Sequence, residues 1–246
     1  MSLDIDRFND LKEKCRFYST LEVFSNNKDL RCSYKFHNEA NLFLTNFLNL
    51  ITNKKIKDFI SEPIVLGKGI TPSQYDDEGS YYYLAMSNIK KWKFDIEDCK
   101  KVGKSFYDEN SNKTIQLNDI LLARSGEGTI GKVAIIEDDE VEGIFADFTM
   151  RIRLKDYNPT FAYYYFRSDI FQYLVYTHKK GLGNNTNIFP SQVQEFPLLD
   201  FTKEHQNRIV KEVQKQLKDL EFVNDEIEKK RNEILKIVQK AITPNK

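Results

Sequence analysis

The stretch KEHQNRIVKEVQKQLKDLEFVNDEIEKKRNEILKIVQKAI, residues 203–242, decides the architecture of this chain. It contains neither glycine nor proline, so no residue in it favours an interruption of an α-helix. Its apolar residues recur at alternating steps of three and four, which is the spacing of a coiled-coil seam. The a positions are Val210, Leu217, Asn224, Arg231 and Val238, and the d positions are Val213, Leu220, Ile227, Ile234 and Ala241. With Thr202 as N-cap, the pattern predicts a helix roughly 55–60 Å long that projects from its domain.

An apolar seam of this length needs a second helix to cover it. The amphipathic segment at residues 37–52 offers one inside the chain, but it is less than half as long and would leave most of the seam exposed. The pattern therefore favours pairing with a second copy or with another protein. Asn224 lies near the middle of the repeat, where a buried asparagine can fix the register. Alternatively, Asn224 and Arg231 mark the place where the seam opens to water.

Towards the N-terminus, short apolar runs separated by glycine and aspartate turns predict β-strands between residues 63 and 155. The runs lie at residues 81–86, 119–124, 132–136, 143–148 and 150–154. Helical spacing returns at 37–52 and 159–177, while 189–191 and 196–199 are typical of a helical turn and a short strand. The sequence thus predicts an α+β fold, in which a mixed β-sheet domain with flanking helices over residues 1–201 precedes the long coiled-coil helix within 202–246.

The charged residues balance, with 37 basic and 37 acidic side chains. This argues against a protein that coats nucleic acid without specificity, which would need a large positive excess, but it allows local patches. Acidic residues concentrate at 137–147 and basic residues at 148–187. The alternation of apolar and basic residues at 150–154 predicts that Arg151 and Arg153 face solvent.

The sequence offers little for catalysis, metal binding or membrane insertion. Cys15, Cys32 and Cys99 are too scattered for a disulfide framework or a zinc site. No nucleotide-binding, serine-hydrolase or metalloprotease motif occurs. We find neither an apolar run long enough to cross a membrane nor a signal peptide, so a cytoplasmic location is expected.

Two glycine-rich polar segments suggest contact with nucleic acid. Residues 126–132, GEGTIGK, resemble a phosphate cradle, but their order fits no nucleotide fingerprint and a strand follows. We interpret them as a tight strand-loop-strand connection that crowds Arg124, Ser125, Thr129 and Lys132 at its tip. Residues 179–187, KKGLGNNTN, form a second, flexible loop. Either loop alone is typical of a solvated turn, but two on one domain favour nucleic acid, because such side chains contact phosphates and base edges.

These residues resemble a known family. The sequence ILLARSG at 120–126, followed by IGK at 130–132, is similar to the central motif of the target-recognition domain in type I restriction-modification specificity subunits. The resemblance continues in order through residues 180–181, 187–190, 196–198 and 206–210, and covers roughly 55–242. A full subunit of that family has two recognition domains and two long helices, whereas this chain has one of each. It therefore resembles a half-subunit, or an excised half of a longer protein.

The resemblance implies a non-catalytic protein that reads one half of a bipartite site in double-stranded DNA. It implies that the long helix pairs antiparallel with a second copy, which would require two inverted half-sites. It also implies docking of a methyltransferase subunit and, where the system has one, of a restriction subunit. S-adenosylmethionine would bind that methyltransferase, and no cofactor is expected on this chain.

From this interpretation we predict three sets of site residues. The phosphate contacts are Lys68, Lys90, Lys132, Lys179 and Lys180. The residues that read bases or support their reading are Asn88, Arg124, Ser125, Thr129, Asn184, Asn185 and Thr186. The dimerisation residues are Val210, Val213, Leu217, Leu220, Asn224, Ile227, Arg231, Ile234 and Val238.

Two alternatives stay open. The first is a coiled-coil adaptor that binds another protein and has no affinity for DNA. The second is the specificity portion of a fused nuclease-methyltransferase, which would behave towards DNA as the half-subunit does. The near-zero net charge keeps the adaptor open, whereas the ordered motifs favour the specificity subunit.

Overall fold

The computed structural model describes residues 2–14, 16, 33–90 and 94–242, with the backbone alone at Asn184. Cys15 and Cys32 lie outside the described residues. The chain divides into two compact units, residues 1–201 and 202–246. The first unit is an α+β domain with two sheets, and the second contains one long helix, so the predicted fold class is confirmed.

An antiparallel sheet of four strands forms one half of the domain core. It consists of β1 (Val65–Leu66), β4 (Ile120–Ala123), β5 (Val133–Ile135) and β7 (Thr149–Ile152), in the order β1-β7-β4-β5. Every residue of β4, β5 and β7 is buried. Burial on both faces explains why β4 is a continuous apolar run rather than an alternating one.

A mixed sheet of three strands packs against the first. It consists of β2 (Tyr81–Leu84), β3 (Lys100–Val102) and β6 (Gly143–Phe145), in the order β3-β2-β6, with β2 parallel to β6 and antiparallel to β3. Leu84 and Phe145 of this sheet join Leu121 and Ala134 of the first in one apolar cluster. The close approach of β6 to β2 requires Gly143, because a Cβ there would lie 2.5 Å from the Tyr82 carbonyl oxygen.

Helices flank the sheets. They are α1 (Ile5–Lys14), α2 (Glu39–Ile51), α3 (Lys104–Glu109), α4 (Pro159–Arg167), α5 (Asp169–His178) and α6 (Pro190–Val193). The predicted helix at 37–52 is confirmed as α2, whose N-cap Asn38 accepts a hydrogen bond from the Asn41 amide at 2.7 Å. The predicted single helix at 159–177 divides at Ser168. Its hydroxyl donates to the Tyr165 carbonyl that ends α4 and accepts from the Phe171 amide that begins α5.

Two predictions for this domain are wrong. Residues 196–199 do not form a strand and make only one bridge, between Lys55 and Pro197, which the Ile56 and Leu198 amides close by donating to the Phe196 and Lys54 carbonyls. Arg151 and Arg153 do not face solvent: their side chains are 5% and 21% exposed. Residues 111–116 cover that face of β7, since Thr114 bridges to Ile144 of the other sheet.

The second unit contains α7, which runs from Lys203 to Ile242. The predicted long helix is confirmed, and the Thr202 hydroxyl accepts a hydrogen bond from the His205 amide at 3.3 Å, as an N-cap does. Gln206 and Val210 are buried, whereas most seam residues from Leu220 onward are between 44% and 60% exposed. The exposed apolar seam residues are Leu220, Ile227, Ile234 and Val238. No helix of the described ranges is long and apolar enough to cross a membrane.

Candidate nucleic-acid interface

The topology brings several strand ends to one end of the domain. β2 and β6 are parallel and therefore end side by side, and the residue after β6, Ala146, bridges to Lys68 after β1. β4 ends beside the start of β7, where Ala123 pairs with Thr149. We call the segments at this end, residues 67–71, 85–90, 124–132, 146–148 and 179–189, the loop end. All the predicted DNA-contacting residues lie within these segments.

The two glycine-rich loops predicted from the sequence form one joined structure. Ser125 bridges to Asn187, the Gly126 amide donates to the Thr186 carbonyl at 3.1 Å, and the Ile188 amide donates to the Arg124 carbonyl at 2.9 Å. Lys180 and Asn187 exchange two backbone hydrogen bonds of 2.7 Å, which close residues 180–187 into a loop. The second segment, expected as an irregular loop, is thus hydrogen-bonded at its base and attached to the first.

Glycine is required at the turns of both loops. Gly126 and Gly131 have φ of 83° and 87°, which place the β4–β5 connection in the left-handed region. Gly181 has φ of 104°, and a Cβ on it would lie 2.2 Å from the Asn185 carbonyl oxygen. The Thr129 hydroxyl donates to the Ser125 carbonyl at 2.6 Å, so Thr129 braces the first loop from inside.

Glu127 connects the two loops through its side chain. One carboxylate oxygen accepts a hydrogen bond from Lys179 Nζ at 2.7 Å, and the other accepts from the Thr186 hydroxyl at 3.2 Å. The hydrogen bond from Lys179 holds the pKa of Glu127 below its ordinary value. The sequence analysis missed Glu127. The available signal was one acid in the first loop opposite two lysines in the second.

Three predicted contact residues are corrected by their burial. Lys179 is 8% exposed and bound to Glu127, and Thr186 is 3% exposed and bound to the same carboxylate. Asn88 is 3% exposed, and its side-chain oxygen accepts from the Ala85 amide, so it caps the short 3₁₀ turn Met86–Asn88. A side chain enclosed in this way positions the surface rather than touching a ligand.

Arg124 is held beside the exposed ring of Phe189 and is hydrogen-bonded through its backbone to Phe148. Its Nε donates to the Asp147 carbonyl at 3.2 Å, and its guanidinium carbon lies 5.7 Å from the centre of the Phe189 ring. Its backbone amide donates to the Phe148 carbonyl. Phe148 and Phe189 are 47% and 40% exposed, which the sequence analysis did not anticipate. The arginine is thus held in place while the rest of its donor set faces outward at the loop end.

Among the remaining predicted residues of the loop end, Ser125 is half-buried and several others are exposed. Lys68, Lys132, Lys180 and Asn185 are open to solvent, and Lys90 is exposed but lies 3.7 Å from Asp95. Nothing is described of the side chain of Asn184. The structure therefore brings four exposed lysines, one half-buried arginine and an asparagine to the same end of the sheets.

The opposite end of the sheets carries a large group of exposed carboxylates. There, the Tyr82 amide at the start of β2 donates to the Glu142 carbonyl, and the segment that includes Asp76 pairs with the end of β3. Exposed acids lie in the segments at this end, which we call the acidic end: Asp76, Asp77, Glu78, Asp108, Glu109, Glu137, Asp138, Asp139, Glu140 and Glu142. The balanced composition thus divides into two ends of opposite sign, which orients an anionic partner towards the loop end.

The described residues show no cluster suited to a metal ion: nowhere among them do three histidine, cysteine, aspartate or glutamate side chains come together. Cys99 is half-buried, and burial together with Asp95 and Asp98 raises its pKa to about 12. Such a thiol is not a ready nucleophile at neutral pH.

No protein-family model and no curated protein matches this sequence. Solved structures do match. A structure from work on the assembly and conformational transition of the type I R-M system aligns with a TM-score of 0.52 and 14% identity, over 94% of this chain and 53% of that chain. The type I restriction-modification S subunit from M. genitalium aligns at 0.49 and 18% identity, over 74% and 42%. The HsdS subunit from Thermoanaerobacter tengcongensis aligns at 0.48 and 14%, over 89% and 52%.

The chain spans about half the length of these proteins. The structure from the type I R-M system, which is 14% identical to this chain, shows that the two proteins share a fold. The predicted α+β domain followed by one long helix is confirmed, and it shares its fold with the structure from the type I R-M system.

Proposed function

We propose that this chain is the DNA-specificity subunit of a type I restriction-modification complex and reads one half of a bipartite site. The observation that carries the proposal is the separation of charge along the sheets. Exposed lysines and polar loops share one end, where Glu127 and Asp147 also lie, and the exposed carboxylates of the acidic end lie at the other. Phosphate contacts supply most of the affinity of a DNA-binding protein, so the loop end is the surface that a duplex would approach.

Within this proposal, different residues contact the phosphates and the bases of the DNA. Lys68, Lys132 and Lys180 are exposed and contact phosphates, with Lys90 at the margin of the surface. Arg124 and Asn185 read base edges, because arginine pairs with two acceptors of guanine and asparagine with adenine. The carbonyl of Asp147 holds the Arg124 side chain, and Glu127 holds the loop that presents Asn185.

The long helix provides the surface through which the chain would pair with a second copy. The apolar side chains along α7 are exposed from Leu220 to Val238, and an antiparallel pair of such helices would cover them. A second copy of this chain would then place two recognition domains about a two-fold axis, and the site would consist of two inverted half-sites. Asn224 lies centrally in the seam, where it would face its symmetry mate.

The chemistry of the complex belongs to other subunits. We assign no catalytic residue and no cofactor to this chain, and the methyltransferase subunit would carry S-adenosylmethionine. A restriction subunit joins where the system has one. The shared fold with the structure from the type I R-M system supports this assignment. A protein with these partners works in the cytoplasm.

The proposal is tested by selecting bound duplexes from a random pool with the purified full chain. We expect an enriched motif of two inverted half-sites separated by a fixed spacer. A variant with Leu220→Asp and Ile227→Asp is expected to be monomeric in light scattering and to select single half-sites. A pool that shows no enrichment with the folded, dimeric chain would contradict a role in sequence recognition.

The adaptor remains the second candidate, because the exposed seam of α7 would equally suit another protein's helix. It predicts a chain that associates through α7 but shows no salt-dependent binding of any duplex. The same selection experiment therefore separates the two candidates.

A further inference from the structure

A cavity of about 280 Å³ opens beside β7, away from the loop end, and basic side chains line it. Arg151 and Arg153 come from β7 and the segment after it, and Lys113 comes from the segment that covers this face of the strand. Glu62 is the only carboxylate in the lining. Asn112, Ser111 and Gln116 add polar side chains around the opening.

The carboxylates near the cavity do not balance its cations. Glu62 accepts a hydrogen bond from Arg151, and Asp119, which is fully buried behind the lining, binds Arg153 at 2.7 Å. Three cations against two carboxylates leave an excess of one positive charge. The excess resides on Lys113, which is half-buried at the opening of the cavity, and it favours an anion as the ligand.

Two nitrogen atoms of the cluster lack partners. Arg151 is 5% exposed, and among the described residues its Nε has no hydrogen-bond partner. Lys113 Nζ likewise forms no hydrogen bond or ion pair with any side chain of the described ranges. Burial, and then the nearby Arg151, lower the pKa of Lys113, which is the expected effect of a cation that faces other cations. A buried donor without a partner needs an explanation.

We infer that this cavity binds a small-molecule phosphate, free or carried by a small metabolite. Arg151 and Arg153 already donate to Glu62, Asp119 and the Thr114 carbonyl, so they contribute positive charge to the site while Lys113 contributes the donor. A phosphate carries between one and two negative charges at neutral pH. A bound phosphate would accept from Lys113 Nζ and from the polar side chains at the opening, and would neutralise the excess charge. The site lies among the residues that begin β1 and β4 and end β7, at the other end of the sheets from the loops. It therefore does not depend on the DNA-binding proposal.

The test is a phosphate titration of the full chain, followed by calorimetry and thermal unfolding, with sodium chloride at matched ionic strength. We expect a saturable heat and a rise in unfolding temperature with phosphate, because a ligand that binds only the folded state stabilises it. Lys113→Gln should weaken phosphate binding about tenfold, as expected for a charge-assisted hydrogen bond. The matched control is Lys104→Gln, an exposed lysine outside the cavity, which should leave phosphate binding unchanged.

A second variant should change the affinity for phosphate in the opposite direction. Glu62→Gln keeps an oxygen that accepts from Arg151 but removes the negative charge from the lining, and phosphate binding should tighten. The inference is overturned if phosphate behaves as chloride does at equal ionic strength, or if Lys113→Gln and Lys104→Gln bind phosphate equally well. It is also overturned if a DNA duplex displaces the phosphate, since the cavity would then belong to the DNA surface.

Discussion

The two ends of the pair of sheets differ in the charge and the arrangement of their loops. At the loop end, the segments after β1, β4 and β6 leave lysines exposed, and hydrogen bonds between loops hold an arginine and an asparagine at the surface. At the acidic end, exposed carboxylates outnumber exposed lysines such as Lys104, and Arg151 in β7 and Arg153 just after it are turned inward onto Glu62 and Asp119. A net charge of +0 therefore hides two surfaces of opposite sign. Net charge alone is a poor guide to whether a domain binds DNA.

The largest effect is expected from removing charge at the loop end. Lys68→Ala, Lys132→Ala and Lys180→Ala together should weaken binding to every duplex on the order of a hundredfold at about 0.1 M salt. The slope of log affinity against log salt should fall by about 2.7, which is three phosphate contacts at about 0.9 each. Fluorescence anisotropy with a specific and an unrelated duplex measures both. An unchanged slope would remove these lysines from the interface.

The matched variant at the acidic end carries Asp138→Asn, Asp139→Asn and Glu140→Gln. It changes the net charge by the same amount as the lysine triple, in the opposite sense, at exposed positions. We expect its affinity to rise by less than about threefold, because these charges are distant from the DNA and screened at physiological salt. A loss of affinity comparable to that of the lysine triple would mean that both ends contact DNA.

Arg124 distinguishes specificity from affinity at the loop end. Arg124→Ala should weaken binding to the selected duplex by roughly 5- to 150-fold, the equivalent of about 1–3 kcal/mol for a paired base contact. Binding to an unrelated duplex should change far less. Arg124→Lys keeps the charge but loses the two-pronged geometry, so it should behave like alanine for specificity. Equal losses on both duplexes would make Arg124 another phosphate contact.

Glu127 tests whether the joined loops must be held in place. Glu127→Ala leaves Lys179, whose side chain is 5% exposed, without this carboxylate, and should weaken specific binding about tenfold. Glu127→Gln keeps oxygen and nitrogen atoms of similar shape and should have a smaller effect. Hydrogen exchange at residues 180–187 should increase in the alanine variant. Unchanged exchange there would show that the backbone bonds alone hold the loop.

The smallest effect is expected when the pH is lowered and the Glu127–Lys179 ion pair is lost. Because the hydrogen bond from Lys179 lowers the pKa of Glu127, its contribution is fully present above the ordinary glutamate pKa of about 4.3 and is lost as pH falls through the lower, folded value. Protection factors at residues 180–187, which are corrected for the intrinsic pH dependence of amide exchange, should therefore stay constant from neutral pH down to about 5 and fall only in stronger acid. A fall near neutral pH would mean that a group other than Glu127 controls the loop.

These features differ in how far the sequence could predict them. Periodicity predicted α2 and α7, because a single apolar face determines each of them, and the apolar run at 120–123 predicted β4. The alternation at 150–154 led to the wrong prediction that Arg151 and Arg153 face solvent. The same alternating pattern also occurs where another segment covers the basic face and carboxylates neutralise its arginines. Asn88, Lys179 and Thr186 belong to residue types common at surfaces, and only tertiary packing determines that they are buried.

The side-chain contact between the two loops could not be predicted from a local sequence pattern either. Glu127 and Lys179 are 52 residues apart, so no spacing rule connects them, and their contact depends on how α4 and α5 return the chain to the β4–β5 connection. The two loops themselves could be recognised, because glycines with positive φ and short polar side chains have a local signature.

The most direct test of the account is where a bound duplex lies on the domain. A photo-crosslinking amino acid replaces either Asn185 at the loop end or Asp139 at the acidic end, both of which are exposed, and each protein is irradiated with the selected duplex. The account predicts a covalent adduct from position 185 that excess salt abolishes, and none from position 139. Crosslinking from position 139, with none from position 185 in a protein that still binds, would contradict it.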